Sequence, residues 1–318
     1  MIVPTIARLI VREHLHKPIQ GRVLTLGRQT IAMTYEQVIQ LFKQEGYSPS
    51  DLILRERSGD RDEKTRFGKG TRYISDTLFF KLMGIVDLVT MDVTEYEGAE
   101  IIHNLNQRIP ESLCNQFDFI IDGGTFDHLF DLRTAFENVV RLLKPDGRIF
   151  HWNAASNFTG AAYLSFAPDF FFDYYTVNRF NDCQVYVAEI DSIGQRESWE
   201  FYKFEKTSEN YHFPSSKIQM TLVLAEKGPS ATWNEMPVQS YYQEAGSRQA
   251  HRTTQVVESG RKLLASQPDQ TVEPGFLAWA FSRLAHSTPK EILPKLAKRL
   301  FPALGKRQIE GYRYIGRI

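Results

Sequence analysis

Cysteine is scarce in this chain. Only Cys114 and Cys183 occur, without metal-type spacing. That excludes a disulfide framework and makes a reducing compartment, the cytoplasm, the expected setting. Neither sign of charge is in excess: 38 Lys and Arg stand against 38 Asp and Glu. No global field therefore draws the protein to nucleic acid, and no nucleic-acid partner is expected. A run of 18 apolar residues is also missing, so no membrane-spanning helix is expected. The first twelve residues lack a basic region ahead of a long apolar core, so no secretory signal is expected either. What is present is ordinary for a globular protein: 318 residues, 42% apolar and 24% charged, enough to bury a substantial core.

The pattern along the chain alternates strands with helices. Val23–Leu26 reads as a buried strand ending at Gly27, followed by a helical spacing through Ile31, Tyr35, Val38, Ile39, Leu41 and Phe42 that closes at Gly46. Residues 48–84 look like a charged, glycine-punctuated insertion, with a short helix near Thr77–Leu82. Val86–Asp92, Ala99–Asn106, Phe117–Asp122 and Arg148–Trp152 read as further strands, and Leu132–Leu143 as a helix. This alternation predicts a mostly parallel sheet covered on both faces. Cys183–Ile190 and Lys217–Glu226 predict an antiparallel pair at the sheet edge, joined by an aromatic-rich connection. Residues 1–228 form the expected main domain. Residues 229–318 form a C-terminal extension, polar at first, then helical and basic.

The most informative segment is Phe117–Phe130: a buried strand, then Asp122-Gly123-Gly124-Thr125, then Asp127 and His128. Polar residues at the carboxyl end of a buried strand sit where open α/β sheets bind their ligands.

Together with Gly27-Arg28-Gln29 and with Asp92 followed by Tyr96-Glu97-Gly98-Ala99, this segment resembles the class I S-adenosylmethionine-dependent methyltransferases. The resemblance spans residues 21–227 and is nearest to a bacterial branch linked to surface-polysaccharide and secondary-metabolite pathways. It implies a Rossmann-like fold, S-adenosylmethionine as cofactor and methylation of a small-molecule acceptor, a sugar among the options. Gly27, Arg28 and Gln29 would then receive the methionine part, aided by the N-terminus of the following helix. Asp92 would take the ribose hydroxyls, Asn104 or the backbone at Leu105 the adenine edge, and Asp122, Gly123 and Gly124 would close the site. Asp92 lies 65 residues beyond Gly27, so the 48–84 segment must loop out, and Glu56 is a rival for the ribose.

For the chemistry, His128 and His151 are the candidate bases, since a hydroxyl acceptor benefits from a histidine poised near neutral pH. Asp127 is expected to cap the next helix. No metal ligand set is expected. Related sequences often carry glycine-histidine-glycine where this chain has Gly160-Ala161-Ala162, which keeps open a cofactor-binding module without catalysis. The dense aromatics of Phe166–Tyr175 are expected to be core, or else an acceptor wall. Eight Lys or Arg in the last 30 residues, with an apolar stripe through Ile292, Leu296, Leu300, Phe301 and Leu304, suggest a basic amphipathic helix able to touch a membrane surface.

Overall fold

In the computed structural model of the chain, residues 1–49, 60–192, 198–205, 213–239 and 312–317 are described. They build a nine-stranded sheet in the order β3-β2-β1-β4-β5-β8-β6-β7-β9. The strands are β1 (Arg22–Leu26), β2 (Asp87–Asp92), β3 (Ile101–Ile102), β4 (Phe117–Asp122), β5 (Leu143–Ser156), β6 (Asp182–Ser192), β7 (Ser198–Phe204), β8 (Ile218–Glu226) and β9 (Tyr312–Arg317). Pairing is parallel from β3 through β5 and antiparallel from β5 outward. The order reverses between β1 and β4, and a crevice opens outside the strand ends at such a switch point.

Among the described residues, five α-helices cover the sheet: α1 (Pro4–His16), α2 (Tyr35–Gln44), α3 (Asp76–Leu82), α4 (Leu132–Leu142) and α5 (Pro168–Val177). Because side chains alternate along a strand, Val23, Phe119, Ile121 and Phe150 pack with α1, α2 and α3 on one face. Leu24, Leu26, Ile120 and Ile149 pack with α4 and α5 on the other. The α/β class with helices on both faces is therefore present.

Several details depart from expectation. The antiparallel pair exists, but β8 lies between β5 and β6, and the edge is made by β7 and β9. β7 falls in the aromatic connection: its alternation buries Trp199 and Phe201 against the α1–α3 face. Helix α1 carries no distinctive motif, yet Ile6, Leu9 and Ile10 are buried, and Arg148 of β5 pairs with Glu13. β3 is only two residues long. Residues 312–317 are a strand rather than helix, paired with β7. The basic stripe of residues 292–304 lies outside the described residues, as does Glu56. The short helix of the 48–84 segment packs into the core through Phe79 and Phe80, so that part is not a mere surface loop.

Among the described residues, no helix is long and apolar enough to cross a membrane.

Candidate active site at the β1–β4 crevice

Gly27 stands directly after β1 with φ +73°, a conformation that costs an L side chain. A Cβ there would lie 3.7 Å from both Asp92 Oδ2 and Thr125 Oγ1. The ends of β1, β2 and β4 thus form one cradle around this glycine. Gly123 is required for a different reason, close approach: a Cβ would fall 2.4 Å from Gln29 Oε1 and 2.7 Å from Trp152 Cζ2. Gly124 follows with φ +85° and turns the chain toward Asp127.

Asp92 presents a half-engaged carboxylate. Its Oδ1 accepts from the Val93 N–H at 2.6 Å, while Oδ2 has no protein donor among the described residues. This geometry suits a vicinal diol approaching over Gly27. On the neighbouring loop, Asn104 Oδ1 accepts from the Asn106 N–H and side chain, both at 3.0 Å. The Leu105 carbonyl is taken by Asn138 Nδ2 at 3.1 Å. Asn138, fully buried on α4, also binds the Gln107 carbonyl and the Ile109 N–H at 2.7 and 2.9 Å. It clamps the loop that follows β3. A lone asparagine inside an amphipathic helix gives no sequence sign of that role.

The side chains of Arg28 and Gln29, expected at the methionine part, are engaged within the protein. Arg28 is buried and all its donor nitrogens are engaged: Nε with the Glu97 carbonyl, Nη1 with Asp76, and Nη2 with the Gly98 carbonyl and Glu100. Burial pushes the Asp76 carboxyl above its ordinary value, with Arg28 opposing. The Gln29 amide donates to the Gly27 carbonyl at 3.1 Å. The helix expected directly after Gly27 begins only at Tyr35. Thr34 and Gln37 form a reciprocal cap there, which satisfies the Thr34 and Gln37 N–H groups. The reason is local: residues 28–34 form no helix, and Ile31 is bridged to Ile2.

Asp122 is fully buried and saturated. Its Oδ1 accepts from the Thr125 and Phe126 N–H groups at 2.8 and 3.2 Å. Its Oδ2 binds His151 Nδ1 and Asn153 Nδ2, each at 2.7 Å. His151 Nε2 meets the Tyr175 hydroxyl at 2.6 Å, and burial pushes that hydroxyl well above its ordinary pKa. Both imidazole nitrogens are occupied and the ring is wholly buried among Phe126, Phe171 and Tyr175. His151 was expected at the rim as a candidate base. The structure instead makes it the central link of an Asp122–His151–Tyr175 chain that braces the turn after β4.

His128 is the exposed histidine of the site, its side chain 57% accessible. It ends a 3-10 turn, Phe126–His128, rather than opening a helix. The N-cap of α4 is Asp131, not Asp127. Beyond this turn, the Tyr163 and Leu164 N–H groups donate to the Asp127 carbonyl at 2.9 and 3.1 Å. The same segment leads into a cavity of about 420 Å³ lined by Leu132, Leu164, Phe166, Asp169, Phe170 and Asp173, among others. The aromatics on α5 divide accordingly: Phe171, Tyr174 and Tyr175 are core, whereas Phe170 is 39% exposed. Among the described residues, no cluster of three or more His, Cys, Asp or Glu is placed to hold a metal ion.

Comparison with known proteins adds one informative match. Residues 87–151, about a fifth of the chain, match the methyltransferase domain family. A search of curated proteins finds no match. Among solved structures, the chain is similar to the CMeT domain of the citrinin polyketide synthase, at 12% identity and TM-score 0.33, covering 66% of this chain and 47% of that one. It is similar to a possible histamine N-methyltransferase from Thermotoga maritima, at 10% identity and TM-score 0.34, covering 70% and 88%. It is also similar to phosphoethanolamine N-methyltransferase 2 from Haemonchus contortus in complex with S-adenosyl-L-methionine, at 10% and 0.35, covering 70% and 52%. This chain thus spans about half the length of the first and third. Likenesses this weak carry no functional argument. The family match does, because it runs from β2 through His151 and so includes Asp92, Asp122 and Gly123. It supports a class I S-adenosylmethionine-dependent methyltransferase, with S-adenosylmethionine as the cofactor.

Proposed function

We propose that the protein methylates a hydroxyl of a small acceptor, a sugar or related metabolite of the kind found in surface polysaccharides, with His128 as the base. The carrying observation is the Gly27 cradle with the available Asp92 Oδ2 and Thr125, whose carbonyl accepts from the N–H of the exposed His128 at 3.0 Å. When bound, the cofactor supplies a methyl group on a sulfonium. This chain's residues then have three tasks. Asp92 holds the ribose, the Gly27–Gly123 surface admits the sulfonium side, and His128 receives the proton of the attacking hydroxyl. The 420 Å³ cavity is of ligand size. Its half-exposed Phe170 offers a face for a sugar ring.

One observation favours a second reading. Arg28 is spent on internal ion pairs, and the cap of α2 takes up two of its N-terminal N–H groups, so fewer holders remain for a methionine carboxylate. A binding module without turnover follows if that part of the cofactor is held poorly.

Calorimetric titration with S-adenosylmethionine, S-adenosylhomocysteine and NAD separates these readings. No adenosyl binding overturns both, and binding without turnover across a glycoside panel supports the module. Asp92→Ala is expected to weaken adenosyl binding roughly 10- to 100-fold, the loss of one or two hydrogen bonds to a charged acceptor. Unchanged affinity would move the ribose acid to another residue.

A further inference from the structure

Asp127 is held rigidly. Its N–H donates to Asn153 Oδ1 at 3.3 Å, its Oδ2 accepts from the Ala154 N–H at 3.2 Å, and its carbonyl receives the Tyr163 and Leu164 N–H groups. The residue is 6% exposed. Its remaining oxygen, Oδ1, is buried with no hydrogen-bond partner. An orphaned carboxylate oxygen is costly to bury and calls for a reason. Solvent does not reach Oδ1, so an acceptor in the crevice does not reach it either. Among the described residues, one side chain of basic character is within ionic range, His128, whose Nε2 is 3.7 Å away.

We propose that Asp127 is a positioning residue for His128: its buried Oδ1 holds the imidazole with Nε2–H turned inward, leaving Nδ1 to face the acceptor. This rests on His128 being the base of the proposed methyl transfer. In that step the acceptor O–H bond breaks and its proton goes to Nδ1. The oxygen bonds the methyl carbon as the methyl–sulfur bond breaks, and that electron pair returns to sulfur. The imidazolium so formed is stabilised by the carboxylate behind it. Nδ1 has no protein partner among the described residues, as an acceptor-facing nitrogen requires.

The charge environment agrees. Burial raises the Asp127 carboxyl above its ordinary value, the Ala154 N–H opposes this, Asp122 adds to it and His128 opposes it. The charged groups facing the carboxyl are Asp122, His128 and the Met1 amino group.

The test is a carbon-detected NMR titration of the Asp127 carboxyl in the full chain, wild type against His128→Gln. The substituted side chain is largely exposed, so the fold is retained. The His128 side chain opposes the upward shift of the Asp127 carboxyl, so its removal is expected to move the Asp127 midpoint upward. An unmoved midpoint overturns the pairing, because a carboxylate serving the turn alone would not sense the substitution. A second readout is the long-range nitrogen spectrum of the neutral imidazole. A proton on Nε2 is expected, and a proton on Nδ1 overturns the proposal. Calorimetry with S-adenosylmethionine on the same samples keeps the two readings apart. Absent binding defeats the methyltransferase reading, whereas binding without carboxyl coupling defeats only the Asp127–His128 pair.

Discussion

Two histidines, one on β5 and one just past β4, show how burial decides what an imidazole can do. His151 has a carboxylate on one nitrogen and a tyrosine hydroxyl on the other, with no solvent contact. Such a group braces rather than reacts. Tyr175→Phe would leave Nε2 unpaired in an apolar shell, at a cost of about 1–3 kcal/mol. Urea unfolding should register that loss, and the affinity for S-adenosylmethionine should change little, because Tyr175 lies on the far side of His151 from the crevice turn. His128, one 3-10 turn past β4, keeps most of its ring in solvent.

At the level of elements, the site is a set of loops pinned by neighbouring helices. Asn138 reaches from α4 to hold the Leu105 and Gln107 carbonyls and the Ile109 N–H. Asn138→Ala strands all three and is expected to destabilise the fold by roughly 2 kcal/mol or more. Hydrogen exchange at the Ile109 amide should accelerate beyond the global change. The α1–α2 contact carries a pH-dependent contribution. Glu45, at the C-cap of α2, accepts from Arg12 Nε at 2.6 Å and is paired with Arg8. Burial alone would raise its carboxyl, but Arg12 and then Arg8 more than offset this, so it lies below its ordinary value. A depressed folded pKa means the contribution is complete above the unfolded value, about 4.3, and is lost as pH falls through the folded one. Glu45→Gln should therefore narrow the stability difference between pH 7 and pH 3, read by urea unfolding at both.

Across the whole molecule, the switch point between β1 and β4 gathers groups far apart in the chain: Gly27, Asp92 and Thr125 meet within a few ångströms. A ligand bound there ties three strand ends together and stabilises the native state by mass action. S-adenosylmethionine at 100 times its dissociation constant should add about 2.7 kcal/mol. That corresponds to a rise in melting temperature of roughly 5–10 °C for a domain of this size. Thermal unfolding followed by tryptophan fluorescence reads this directly, and NAD at equal concentration should produce no shift.

The alternation of apolar strands with amphipathic helices determined the α/β class, and the acids and glycines at strand ends marked the crevice. These signals are local: a buried strand must read apolar, and a backbone at positive φ calls for glycine. Gly27, Asp92 and the Asp122–His128 run were legible for that reason. Burial and pairing partners are not local properties, and there the tertiary structure decided. Arg28 looks like an anion ligand until Asp76 and Glu100 arrive from 48 and 72 residues away. The edge of the sheet could not be read from β6 and β8, because β8 inserts beside β5 and β7 and β9 take the outside. Likewise the sequence places Asp127 beside His128 only as a neighbour along the chain. Among the described residues, the fold alone buries one carboxylate oxygen without a hydrogen-bond partner and leaves the exposed imidazole 3.7 Å from it.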